Sequence, residues 1–151
     1  MPKADFSLDR AHAGKSSYPP PHDAKLAGRK SWIVTREFGL TQFGVNRVEL
    51  APGAWSSQRH WHRRNDEAVI VVSGELVLVT DDGEEVLRAG DCVCFKAGVE
   101  SAHHMQNRSD KPAVYFDVGG RDPADISVFP DIGLEARTRM QIEFREIKEE
   151  P

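Results

Sequence analysis

Sulfur is scarce in this chain: Cys92 and Cys94 are the only cysteines among 151 residues. Two positions apart on an extended segment they share one face, and a Cys-x-Cys disulfide is disfavoured there. No apolar run approaches the ~18 residues of a membrane span. The first residues carry Lys3, Asp5, Asp9 and Arg10 without an apolar h-region, so no signal peptide is visible. The cytoplasm is therefore the expected compartment, and both thiols should stay reduced in it. An excess of positive charge is also missing. The formal net charge of −4 argues against a general nucleic-acid binder, and no helix-turn-helix pattern points to a transcription regulator. Internal repeats and low-complexity tracts are absent.

The length suits one domain with a real core, and the charged fraction of 29% suits a soluble surface. Residues 1–30 read as an arm. Gly, Ser, Pro, Lys and His dominate it, and Tyr18-Pro19-Pro20-Pro21 favours extended backbone. Such a leader is either partly disordered or wrapped on a neighbouring subunit with Tyr18 as anchor. From Ser31 the texture changes to β-branched and aromatic segments punctuated by turn signals. Strands are expected before Leu50, over Glu75–Thr80 and Glu84–Leu87, at Cys92–Phe95 and Ala102–Gln106, and over Ala113–Val118. Arg121 to Asp125 reads as a loop or a short helical turn. Met140, Ile142 and Phe144 alternate with Gln141, Glu143 and Arg145, which predicts a half-buried strand over Gln141–Arg145. Turns every six to twelve residues predict an all-β sandwich or barrel over 31–151, with a C-terminal extension.

The stretch Gly53 to Gly74 carries the chemistry. Its skeleton is G-x6-H-x-H-x4-E-x6-G, set by Gly53, His60, His62, Glu67 and Gly74. On a strand His60 and His62 point the same way, with Trp61 facing the other side. A polar turn over Arg63 to Asp66 and a returning strand from Glu67 bring the carboxylate back beside the two imidazoles. Two imidazoles and a carboxylate make a hard-to-borderline metal site. Asp66 could replace Glu67 if the register slips. Downstream, Gly90 to Asn107 reads G-x5-K-A-G-x4-H-H-M-Q-N, and His103 and His104 face opposite sides if extended.

These two stretches resemble the two sequence motifs of the cupin superfamily, G-x5-H-x-H-x3,4-E-x6-G and G-x5-P-x-G-x2-H-x3-N. The resemblance runs from Ser31 to Gly120. It departs by one extra residue before His60, by Lys96 in the usual proline place, and by two extra residues between Gly98 and His103. It implies a cupin-like double-stranded β-helix barrel of jelly-roll type. It also implies His60, His62, Glu67 and His103 as metal ligands, His103 because it alone keeps the H-x3-N spacing to Asn107. A homodimer is implied as well.

Four ligands leave an octahedral ion two positions for water or substrate, so one divalent transition metal per subunit (Mn, Fe(II), Ni, Co or Zn) is expected. A cupin that has lost its metal is the alternative. Cys92 or Cys94 could line the cavity as an acid/base or nucleophile, the competing reading being two buried small hydrophobes. Gln58 would share the ligand face and bind a substrate oxygen. Either Asn46 or Arg47 should face the cavity, and an inward Arg47 would suit a phosphate or carboxylate.

The function expected is metal-dependent isomerase or lyase chemistry on a small polar metabolite, such as a sugar, sugar phosphate or keto acid. The metal would stabilise an enediolate while a side chain moves a proton. A methylthio-ketose phosphate methylsulfurylase, which is similar to this chain, implies thiol assistance. An Fe(II) dioxygenase and a non-catalytic small-ligand binder are the alternatives.

Overall fold

Alternating and β-branched segments build the chain almost entirely from short strands. The computed structural model describes residues 3–13, 16–138 and 142–147. The strands are β1 (His12–Ala13), β2 (Arg29–Ile33), β3 (Phe43–Leu50), β4 (Trp61–His62), β5 (Glu67–Ser73), β6 (Glu75–Thr80), β7 (Gly83–Arg88), β8 (Cys92–Phe95), β9 (His104–Gln106), β10 (Ala113–Gly120), β11 (Ile126–Phe129), β12 (Leu134–Thr138) and β13 (Ile142–Glu146). Among the described residues one short α-helix, α1 (Val34–Glu37), interrupts them after β2, beside three 3-10 turns. No helix among the described residues is long and apolar enough to cross a membrane.

The strands form two walls. One is a sheet of order β1-β2-β3-β10-β5-β8. The other joins β7-β6-β9 to β4-β11-β12-β13 through a bridge between His60 and His103. This is a β-barrel of the double-stranded β-helix type. Every pairing between the named strands is antiparallel.

Side-chain parity on three central strands divides the interior into a dry end and a wet end. Facing inward, β3 offers Gly44, Asn46, Val48 and Leu50, β10 offers Ala113, Tyr115, Asp117 and Gly119, and β5 offers Glu67, Val69 and Val71. The register sets Tyr115 beside Val48 and Val71, and Asp117 beside Asn46 and Val69. Val48, Leu50, Val69, Val71 and Tyr115 join Leu76, Leu78, Leu87 and Met105 in the apolar core. The polar residues of the same strands therefore collect at the other end, around a cavity. Gly74 makes the sharp β5–β6 turn possible. Its φ is +78°, and a Cβ there would come within 2.7 Å of the Pro112 carbonyl oxygen.

The arm packs on its own barrel. Phe6 meets Trp32 and Phe116 edge-on, and Trp32 donates to the Ser7 carbonyl at 2.9 Å. Tyr18 lies against Phe129 and Phe144 of its own chain, with ring centroids 5.3 and 5.1 Å away. Other differences from the sequence reading are local. The strand expected from Ser31 begins at Arg29, and only His104–Gln106 of the Ala102–Gln106 segment forms a strand. Arg121 to Asp125 is a turn, closed by Asp125 N–H donating to the Asp122 carbonyl. β11 and β12 were not anticipated, because all of Ile126 to Phe129 is buried and shows no alternation. The strand expected over Gln141–Arg145 runs as Ile142–Glu146; Met140 and Gln141 lie outside the described residues.

Candidate metal centre

His60 and His62 reach the wet end from the segment after Gly53. His60 and His103 exchange two backbone hydrogen bonds, at 3.1 and 2.9 Å, which fix both side chains on one wall. β4 pairs with β11, opposing His62 to Ser127. Glu67, the first residue of β5, projects from the facing wall. Its Oε2 lies 3.8 Å from His60 Nε2, 3.7 Å from His62 Nε2 and 3.0 Å from His103 Nε2. The ligand atoms of His60, His62 and Glu67 all fall within 4.8 Å of one another, as in a site that could hold a metal ion. Phe95, the β8 partner of Glu67, stacks flat on the His103 ring.

The opposite nitrogens explain why three Nε2 atoms converge. His60 Nδ1 donates to the Gln58 carbonyl at 3.0 Å and His103 Nδ1 to the Ser101 carbonyl at 3.4 Å. His62 Nδ1 donates to Asp125 at 2.7 Å. For His60 and His62 these bonds place the proton on Nδ1 and leave the Nε2 lone pair toward Glu67, while His103 Nε2 hydrogen-bonds to Glu67 Oε2 at 3.0 Å. Asp125 is fully buried, and its other oxygen accepts the backbone N–H groups of Arg64 and Asn65 at 2.8 and 3.2 Å. One carboxylate thus orients His62 and shapes the Arg63–Asp66 turn that returns the chain to Glu67. His104 turns away, donating to the Ser57 carbonyl and accepting from Gln106. Asp66 accepts the Ala97 N–H instead of joining the cluster.

The electrostatics match a ligand set. Burial pulls the His60 pKa down to about 4, so its imidazole is neutral at pH 7. Burial favours the protonated form of Glu67, but the His103 hydrogen bond and the neighbouring imidazoles outweigh it and hold the carboxyl below the usual carboxylate range. For His62, burial is outweighed by the Asp125 hydrogen bond and the Glu67 charge, and the pKa rises. A carboxylate facing three imidazole Nε2 atoms is the donor set that suits a borderline divalent cation.

The centre opens into a cavity of about 770 Å³ lined also by Tyr18, Arg29, Asn46, Tyr115, Asp117 and Phe129. Burial, together with the nearby Glu67 charge, pushes Asp117 up to about 7. Asp117 Oδ2 accepts the Asn46 amide at 3.3 Å. Arg29 donates to Ser31 at 3.1 Å, while its buried Nε has no partner among the described residues.

Four residues proposed from sequence lie elsewhere. Arg47 has the outward parity of β3, and its guanidinium stacks on Trp32 and Phe6, 4.6 and 5.2 Å from the ring centroids; Asn46 is the one facing the cavity. Gln58 is buried against the arm, donating to the His22 carbonyl at 2.6 Å. Cys92 and Cys94 are exposed on the outer face of β8, opposite Ile70 and Ala68, so they are neither core residues nor cavity thiols. Their strand turns Val93 and Phe95 inward. Asp125, Arg29, Asp117 and Tyr115 were missed.

The comparisons with known proteins agree with this geometry. Residues 46–119 match the Cupin domain family model. No curated protein sequence matches the chain. Among solved structures, a sugar phosphate isomerase of the cupin superfamily from Silicibacter pomeroyi is 39% identical, with a TM-score of 0.86 over 95% of this chain and 92% of that one. A protein from Acidithiobacillus ferrooxidans, 24% identical, aligns with a TM-score of 0.72 over 80% and 78% of the two chains. An oxalate decarboxylase from Lactobacillus farciminis, also 24% identical, shares the fold at a TM-score of 0.55 over 67% of this chain and 31% of that one. With the motif residues gathered on one β-barrel and a relative this similar over nearly its whole length, the chain belongs to the cupin superfamily.

Proposed function

We propose that this chain is a metal-dependent enzyme that isomerises or cleaves a small polar metabolite, of the sugar, sugar phosphate or keto acid class, by moving a proton next to a carbonyl. The observation that carries this reading is the convergence of three Nε2 atoms on the Glu67 carboxylate at the floor of an open cavity. His60, His62, Glu67 and His103 would hold one divalent ion, drawn from Mn, Fe(II), Ni, Co and Zn. Such an ion supplies Lewis-acid stabilisation of an enediolate when bound.

The chain's own groups do the rest. Asp125 holds the His62 tautomer, and the backbone carbonyls of Gln58 and Ser101 hold those of His60 and His103. Asp117, inside the cavity and steadied by Asn46, is the carboxyl we assign to carry the proton. Tyr18 and Phe129, in edge-to-face contact, give the cavity an apolar stretch of lining. The Silicibacter pomeroyi relative, a sugar phosphate isomerase, supports the substrate class. Thiol assistance is dropped, since both thiols face outward. We place the protein in the cytoplasm. We expect a homodimer across the outer sheet face, where Ile70 and Val72 are 41% and 48% exposed beside the cysteines.

Metal analysis by plasma mass spectrometry tests the reading. Wild-type protein should carry about one equivalent of a divalent transition metal, and the His60→Ala, His103→Ala double variant should carry none. Absence of metal after supplementation with each ion would overturn it. Oxygen consumption with substrate would favour oxygen chemistry over proton transfer.

A further inference from the structure

Arginines of this chain are mostly committed to carboxylates. Arg59 binds Asp81 and Asp131, Arg64 binds Asp122, and Arg108 holds Glu84 with both arms. The arginines that line the cavity behave differently. Arg36 and Arg121 have no carboxylate within salt-bridge distance among the described residues, although both border the space that contains the metal centre.

Arg121 is held in place by design of its surroundings. Its Nη2 donates to Thr35 Oγ1 at 3.2 Å, and that same oxygen accepts the Val45 N–H at 3.3 Å. Thr35 is 1% exposed, so the anchor is rigid. The guanidinium lies over Gly44, where a Cβ would stand 3.1 Å from Nε and 3.2 Å from Nη2. A missing side chain therefore makes its seat. Arg36 follows Thr35 in α1, and Thr41 adds a hydroxyl to the same stretch of wall.

The register gives the span. Gly119 pairs with Gly44 on one side and with Glu67 on the other, so Arg121's seat and the metal-facing carboxylate share one rung. Two interstrand spacings separate them, about 10 Å. That suits an open-chain pentose or hexose phosphate with its carbonyl end at the metal and its ester at the rim.

We propose that Arg121 and Arg36 form a subsite for the phosphate group of a phosphate-ester substrate, an assignment that rests on the enzyme reading above. Both guanidinium groups border the same cavity, and a dianion is drawn to two unpaired positive charges more strongly than a single carboxylate. Arginine forks also match phosphate oxygens in pairs.

The probe is inorganic phosphate, titrated calorimetrically into chelator-treated full-length protein so that it cannot bind through a metal. Wild type should bind it, Arg121→Gln and Arg36→Gln should each weaken binding by about tenfold or more, and Arg108→Gln should not change it. All three positions are exposed, and thermal melts confirm folding. Equal binding by the rim variants and wild type would overturn the subsite. So would no binding by wild type, or loss of binding in Arg29→Gln alone, which would put the anion at the other end of the cavity. Acetate competing as well as phosphate would overturn the phosphate assignment. Metal content is measured on the same samples: rim variants that lose phosphate yet keep metal support the subsite. Phosphate binding in a protein that takes up no metal supports the subsite while the enzyme reading falls.

Discussion

Replacing Asp125 with asparagine changes one atom's chemistry and should disable the metal centre without unfolding the barrel. One Asp125 oxygen accepts two backbone N–H groups, from Arg64 and Asn65, and the other accepts His62 Nδ1–H at 2.7 Å. An asparagine must turn its carbonyl toward the two N–H groups, because the reverse places an NH2 against both. Its NH2 then faces His62 Nδ1, which has to accept. The His62 proton moves to Nε2, the atom 3.7 Å from Glu67, and the lone pair aimed at a metal is lost. Ser127 Oγ, 3.2 Å from Nδ1, can also donate to that nitrogen and reinforces the wrong tautomer. Loss of such an orienting partner costs about 10–100-fold in metal affinity. Stability should fall by about 1–2 kcal/mol, since the three hydrogen bonds are kept but lose the carboxylate's charge. Asp125→Ala should cost more, about 2–4 kcal/mol, because two buried N–H groups lose their acceptor.

The assay is competition with a metallochromic chelator, run on wild type, Asp125→Asn and Asp125→Ala beside urea denaturation of each metal-free protein. An Asp125→Asn variant that binds metal within about twofold of wild type would refute the tautomer argument, because the predicted effect starts at about tenfold. Equal losses of stability in the two variants would refute the division of labour between the two carboxylate oxygens.

Gly74→Ala should destabilise the protein by at least about 2 kcal/mol, since its φ of +78° is joined by contacts of 2.7 and 2.8 Å to the Pro112 and Ala113 backbone; a loss under about 1 kcal/mol in urea denaturation would contradict the backbone clash. The His60 contribution to the stability of the metal-free protein should drop between about pH 6.5 and pH 4. Burial lowers the His60 pKa to about 4, so the unfolded chain binds the extra proton across that window and stability rises with pH, by roughly 3 kcal/mol at most. The raised Asp117 and His62 pKa values oppose this by adding stability that is lost as pH rises, so the His60 part is read as the difference between wild type and His60→Gln, and identical pH profiles would exclude it. Phe6→Ala should uncover Trp32, which is 4% exposed, red-shifting its emission and costing about 1–2 kcal/mol; unchanged emission would mean that the arm does not lie on the sheet in solution.

The parts of this barrel legible in the sequence are those set by neighbours in the chain. The His60-x-His62 spacing and the polar turn before Glu67 are local, and the turn glycines bound β5, β6 and β7 closely to where they were expected. Parity was readable too, wherever two apolar residues were compared with the polar ones between them. Val48 and Leu50 are buried and alternate with Arg47 and Glu49, which puts Asn46 in the cavity and Arg47 outside. Val93 and Phe95, as the larger apolar pair of β8, claim the interior and turn Cys92 and Cys94 outward. What was not readable depends on pairing between distant strands. Asp125 lies 63 positions from His62 and becomes its partner only because β11 closes against β4. β11 itself hides from a period-two reading because all four residues are buried, with Ser127 facing the cavity from the middle of the run. Arg121 is a loop residue by composition, and only the missing side chain of Gly44, 77 positions earlier, lets its guanidinium lie over the cavity rim. Local patterns therefore identify the atoms that converge at Glu67, while the groups that hold those atoms in place, and those that line the rest of the cavity, follow from how the two walls are sewn together.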